Sequence, residues 1–329
     1  GDFLYTEKDV LIDEDLLGNN CSLPIYIDSS LLHNGTNYGT VTLQSFGDCL
    51  TVPVIAKCKA GTRRRTLEHR RLMVQLMDYY QAFRMKKIST STWQRETGKL
   101  VEQMTSMDDK DVTARLFQAQ LLITEERYNE AQWILDHAAD ILGYTEDTDP
   151  VMWAYYLYLT TLVNWEDEYV DNITAQVEMI YRKDRNRWRV AWLLLYLSEE
   201  YRRSSSKKYL FLEEQFSRGC HSPILYVEAL LLLNQNPALL LKLGDFEKQV
   251  LSYGAKKEFL TSEVIYQSVY LVQKAREFSG CIYKYLQMCY TMQPQDNVLQ
   301  EICSLLIKGN CVGREYFSWY QKGVESELR

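Results

Sequence analysis

The chain has 329 residues, 46% of them hydrophobic and 25% charged. That balance excludes disorder over most of its length. With 15 glycines and 6 prolines, it excludes collagen-like and proline-rich architectures and favours long runs of helix. The net charge of −7 argues against a general nucleic-acid binder, whose surface is basic.

Residues 1–60 read as strands and carry eight acids and three bases. Phe3-Leu4-Tyr5-Thr6, Val10-Leu11-Ile12 and Ser22-Leu23-Pro24-Ile25-Tyr26-Ile27 are short apolar runs. The clearest unit is a hairpin: 40–45 alternates, Phe46-Gly47-Asp48 turns the chain, and 49–56 returns. The turn-rich approach is Asn34-Gly35-Thr36-Asn37-Tyr38-Gly39.

From about residue 65 the period becomes helical. Gly61-Thr62 and the arginines that follow make the junction, so two domains are expected, 1–60 and 61–329. Leu72, Leu76, Tyr80 and Phe83 form one helical stripe. Further helices are expected at 90–107, 110–124, 127–142, 149–164, 167–182, 186–203, 206–218, 222–234, 237–254, 261–277, 280–292, 295–308 and 312–327. Separators include Gly143-Tyr144-Thr145, Gly219-Cys220-His221-Ser222-Pro223 and Gly244-Asp245. Paired in order, the helices make about seven hairpins of ~37 residues, within the period range of α-solenoids.

Two motifs carry resemblances. The order Gly35-Thr36-Asn37-Tyr38-Gly39-Thr40-Val41-Thr42-Leu43, then Leu50-Thr51-Val52-Pro53-Val54, resembles the closing strands of Ig-like sandwich domains of the major-sperm-protein type. Only about residues 1–57 are covered, a partial sandwich. Ala119, Leu122, Tyr128, Ala131, Leu135 and Ala138 resemble the packing positions of a tetratricopeptide repeat. In such a repeat the alanines let two antiparallel helices approach and the tyrosine fills the gap beside the turn. Arg115, Gln118 and Gly143 depart from that pattern, and the other hairpins match it poorly. The combination resembles large uncharacterised bacterial proteins that join Ig-like segments to tetratricopeptide-like arrays. That likeness implies an internal fragment of a longer protein with no assigned activity. The opening Gly-Asp-Phe in place of Met, and a last helix with an apolar face, agree with a fragment.

Candidate chemistry is sparse. Four histidines and eight cysteines include no zinc-type spacing, and most cysteines are expected to be small core residues in a reducing, cytoplasmic setting. No nucleotide-binding glycine loop and no G-x-S-x-G occurs. No run of ~18 apolar residues exists, so no membrane span is expected. Cofactors and metals are therefore not expected, nor is catalysis.

The basic stretch Arg63–Arg65, Arg70-Arg71, Arg84, Lys86-Lys87 follows the acidic strands. It reads as a docking patch for an anionic partner or nucleic acid or, preferably at net −7, as an internal match to the acidic strands plus a solvated face. A second basic run spans 182–189, with Trp188 among its arginines. Trp153, Tyr155, Tyr156 and Tyr158 crowd one helix. The expected fold is thus mainly α: a partial Ig-like β segment, then an α-solenoid of about seven tetratricopeptide-like hairpins. The expected function is a non-enzymatic scaffold that binds a protein or peptide, with Tyr155, Tyr158, Arg187, Trp188 and Trp192 as groove candidates. A structural spacer between domains and a carbohydrate-associated binding protein are the alternatives.

Overall fold

The computed structural model describes residues 3–6, 10–12, 16–17, 20–21, 23–28, 31–32, 35–44, 49–58, 64–143, 149–274 and 278–327. The expected turn Phe46-Gly47-Asp48, the junction Gly61-Thr62 and the separator residues Tyr144-Thr145 lie outside these. Two compact units divide the chain, Gly1–Arg71 and Leu72–Arg329.

Among the described residues of the first unit, six strands form three antiparallel ribbons. β1 (Leu4–Thr6) pairs with β4 (Ile25–Ile27), and β2 (Leu16–Leu17) pairs with β3 (Asn20–Cys21). β5 (Gly35–Gln44) pairs with β6 (Cys49–Cys58) along its whole length, Gly35 opposite Cys58 and Gln44 opposite Cys49. Gly39 on β5 is required by close approach. A Cβ there would lie 2.5 Å from Leu4 Cδ1 and 3.0 Å from the Phe3 ring, so the glycine lets the buried Phe3 rest on the ribbon. Asn37, also buried, donates from its amide to the Ala56 carbonyl at 3.3 Å.

The rest is helical. α1 (Arg64–Arg84) crosses from one unit to the other, and its residues from Leu72 onward belong to the second. There follow α2 (Thr90–Met107), α3 (Val112–Thr124), α4 (Tyr128–Leu142), α5 (Pro150–Val163) and α6 (Asp167–Lys183). Next come α7 (Trp188–Leu197), α8 (Glu199–Arg203), α9 (Ser205–Ser217), α10 (Pro223–Gln235) and α11 (Asp245–Lys256). α12 (Ser262–Gln273), α13 (Gly280–Met292), α14 (Asp296–Lys308) and α15 (Phe317–Glu327) complete the array. Side-chain caps explain several starts. Ser89, Asp111, Asp149, Ser204 and Thr261 each accept a hydrogen bond from a first-turn N–H.

Two expected helices are divided. The span 186–203 breaks at Ser198, whose backbone is extended, so that α8 starts afresh. The span 237–254 begins with a 3₁₀ turn at Pro237–Leu239, capped by the Asn236 side chain. Leu240 is then fully buried, and α11 starts only where Glu247 accepts a hydrogen bond from the Gly244 N–H at 2.9 Å. The span 312–327 likewise opens with a 3₁₀ turn at Arg314–Tyr316 before α15.

Most helices pack on a neighbour in sequence, and many pack also on the next but one. α3 meets α5, α5 meets α7, α7 meets α9, α9 meets α11 and α11 meets α13. On the other side α10 meets α12 and α12 meets α14. A chain of short connections and such contacts makes a layered array with a core that runs along it. The crossing of α3 and α4 is tightest at Ala119, Ala131, Leu135 and Ala138, all fully excluded from solvent. Tyr128 beside the turn meets Trp165 edge-on, with ring centroids 5.7 Å apart.

The cysteines correct an expectation. Of the six whose side chains are described, Cys289 alone is buried, its thiol pushed up to about 12 by that burial; Cys49 and Cys281 are exposed. Packing at the α3–α4 crossing gives a direct test. Ala131→Leu should lower stability by about 1–3 kcal/mol through overpacking. The exposed neighbouring change Gln132→Leu should stay within about 0.5 kcal/mol, both read from urea unfolding.

Candidate functional site

α10 has the sequence PILYVEALLLLNQ, apolar up to its closing Asn234-Gln235 but for one acid, Glu228. Its side chain is 2% exposed, and a carboxylate in such surroundings requires a partner. The partner is Arg84 at the end of α1, 144 residues away. The guanidinium donates through Nε at 3.1 Å and through Nη2 at 2.8 and 2.9 Å to both carboxylate oxygens. The Tyr196 hydroxyl of α7 donates to Glu228 at 2.8 Å and lies 3.1 Å from Arg84 Nη2. Burial is the largest influence on Arg84 and works against its charge, but Glu228, Tyr196 and Tyr80 together outweigh it and hold the pKa above the ordinary value.

Aromatic rings enclose this pair. Tyr80 of α1 meets Trp192 of α7 edge-on at 5.6 Å, and Trp192 meets Tyr196 at 6.0 Å. Tyr158 of α5 lies 6.3 Å from Tyr196. Lys208 of α9 sits over the Tyr196 ring at 4.7 Å, its pKa lowered by burial. Further along the same contact, Tyr253 of α11 donates to Gln81 at 2.7 Å, and Lys87 reaches the Lys257 carbonyl at 2.6 Å. The end of α1 therefore contacts α7, α10 and α11.

The five residues expected to line a groove fall in different places. Tyr158 and Trp192 come together in the cluster under α1. Tyr155 lies on the α3–α5 seam, donating to Gln120 and meeting Phe117 edge-on at 5.8 Å. Trp192 Nε1 is buried without a hydrogen-bond partner. Trp188, at the start of α7, lies 6.2 Å from Trp192 and faces a separate cleft. Arg187 pairs with Asp184 at 2.9 Å just outside that cleft.

The cleft holds about 270 Å³. Asn186 and Trp188 form one wall. Gln215, Arg218, Cys220, His221 and Ser222 form the other, around the turn from α9 to α10. Gly219 makes that turn in the left-handed region, with φ of 94°. Its N–H bonds to the Phe216 carbonyl, and the Cys220 N–H reaches back to Gln215, the bond pair of a Schellman end. Gln215, almost fully buried, donates from its amide to the Tyr181 hydroxyl at 2.7 Å. Arg218 pairs with Glu214 at 2.8 Å. The His221 ring stands edge-on to Phe216 at 4.9 Å, and its Nδ1 is 3.4 Å from the Tyr226 hydroxyl. Burial raises the Cys220 thiol pKa, which keeps it in the protonated, weakly nucleophilic form.

Sequence reasoning placed Arg84 in a basic docking or solvated face, missed its partners Glu228 and Tyr196, and treated 219–223 as a mere separator. One signal for the first group was available: a lone acid within an apolar helix demands a buried cation or donor.

The fold defines a mainly helical protein with a few short antiparallel strands at its start. Among the described residues no helix is long and apolar enough to cross a membrane. A family model described as the N-terminal part of a family of unknown function, DUF5717, matches residues 1–329, so the chain belongs to that family. No curated protein and no solved structure matches it.

The buried pair and the phenols around it yield two tests. Arg84→Met leaves the Glu228 carboxylate buried without its cation and should cost about 3 kcal/mol in urea unfolding. Adding Glu228→Leu should restore most of that loss. Burial holds Tyr80, Tyr155, Tyr196 and Tyr209 above the ordinary phenol pKa. A phenol raised in the folded state contributes its stability below the unfolded value of about 10 and loses it as pH climbs toward the folded value. The helical circular dichroism should therefore hold to about pH 10 and collapse above it, together with the rise of phenolate absorbance.

Proposed function

We propose that this chain is a non-enzymatic, tetratricopeptide-like scaffold that holds a segment of a partner protein in the cleft between the α6–α7 and α9–α10 turns. The carrying observation is the cleft itself, which sets the half-buried Trp188 opposite polar groups of a second turn. A site of this kind, with one aromatic wall and a few convergent polar side chains, suits a side chain or a short peptide stretch. The repeat-like reading is supported by the alanine crossing of α3 and α4 and by the series of next-but-one contacts from α3 through α5, α7, α9 and α11 to α13. In this reading Trp188 is the anchor and Arg187 flanks the mouth. Tyr158 and Trp192 serve the aromatic cluster under α1, and Tyr155 serves the α3–α5 seam. The strand unit continues to read as Ig-like, through its long ribbon Gly35–Gln44 with Cys49–Cys58.

A photo-crosslinking amino acid placed at Asn186, in the cells of origin, is expected to give one dominant adduct with a protein. The same group at the exposed Val74 on α1 should not give it. A spacer role is the second reading, favoured by the Arg84–Glu228 pair, which ties distant helices into one body. Equal or absent adducts at both positions would favour the spacer.

A further inference from the structure

The charge around the cleft goes beyond the bare statement that it holds a segment. No aspartate or glutamate lines it, whereas Arg218 and His221 do. The wall that carries Trp188 belongs to residues 182–189, with five bases and one acid. Two of those bases are engaged: Arg182 pairs with Glu178 and Arg187 with Asp184. Lys183, Arg185 and Arg189 are exposed and make no ion pair among the described residues. Arg218 gives Nε and Nη2 to one oxygen of Glu214 and keeps Nη1 for another acceptor. An excess of positive charge at a concave site draws in an anion.

The other groups narrow the class of anion. Trp188 offers an apolar face that a bare phosphate does not use. Gln215 spends its amide nitrogen on Tyr181, and its carbonyl oxygen accepts no hydrogen bond among the described residues. A ligand matched to this cleft carries a carboxylate for Arg218, an N–H for Gln215 and some apolar surface for Trp188. A peptide supplies all three.

Resting on the scaffold reading above, we propose that the cleft binds an acidic peptide segment. Its carboxylate lies on Arg218, its chain runs beside Trp188, and the basic turn 182–189 steers it in.

The test is selection from a random dodecapeptide phage library on the purified full chain. Fluorescence anisotropy of the enriched peptides follows. Sequences rich in Asp and Glu are expected. Their affinity should fall at least about tenfold in Arg218→Glu and weaken with added salt. Asn186→Asp, nearly isosteric and on an exposed position, should weaken them in the same direction. Arg203→Glu, on α8 away from the cleft lining, should leave them unchanged. Unchanged melting of Arg218→Glu and Asn186→Asp separates loss of binding from loss of fold. Enrichment of peptides without acids, or binding indifferent to both cleft variants, overturns this proposal and leaves the scaffold reading standing. Tighter binding of a uridine oligonucleotide than of any selected peptide overturns it in favour of a nucleic-acid site. No enriched peptide at all overturns both.

Discussion

A carboxylate buried in a hydrophobic helix is the constraint on which the second unit depends. Glu228 sits where water does not reach, so the array must deliver a cation to it. Arg84 does so from the far side of the sequence, and with it come Tyr80, Gln81 and Lys87, each making its own contact with α7 or α11. The inner aromatic face is thereby covered by the protein's own helix. An open helical array would leave that face to a ligand. Here the ion pair gives the face to α1, and the open cleft lies at the turns.

Much of the helical fold was legible because the signals are local. Breaker residues and caps set most helix ends, and α2 and α13 fall at 90–107 and 280–292 as the sequence implies. The failures are also local in origin. Pro237 and Gly244 allowed a helix to be drawn through a stretch where Leu240 is instead pulled into the core. Ser198 carries no strong breaker chemistry, and its extended backbone comes without a side-chain cap bond. Cysteine type alone did not tell Cys289, inside, from Cys281, outside.

The site was legible only in part, for a different reason. Aromatic residues at helical spacing announce that rings share a face, and Trp192 and Tyr158 do meet through Tyr196. Which segment covers that face depends on a contact between residues 144 apart, and periodicity carries no information at that range. The cleft depends on two turns from different hairpins, Asn186 with Trp188 and Gln215 through Ser222. Each turn read singly is only punctuation.

The span of the Arg84–Glu228 pair also sets an order of events. Nearly every other contact in the array joins a helix to its neighbour or the next but one, so hairpins can form in sequence as a nascent chain lengthens. The closure waits until α10 has been made. Until then Arg84 has no carboxylate to meet, and the contacts of Gln81 with Tyr253 and of Lys87 with Lys257 wait longer still. A chain made from its N-terminus therefore completes the closure by α1 only when residue 257 has arrived.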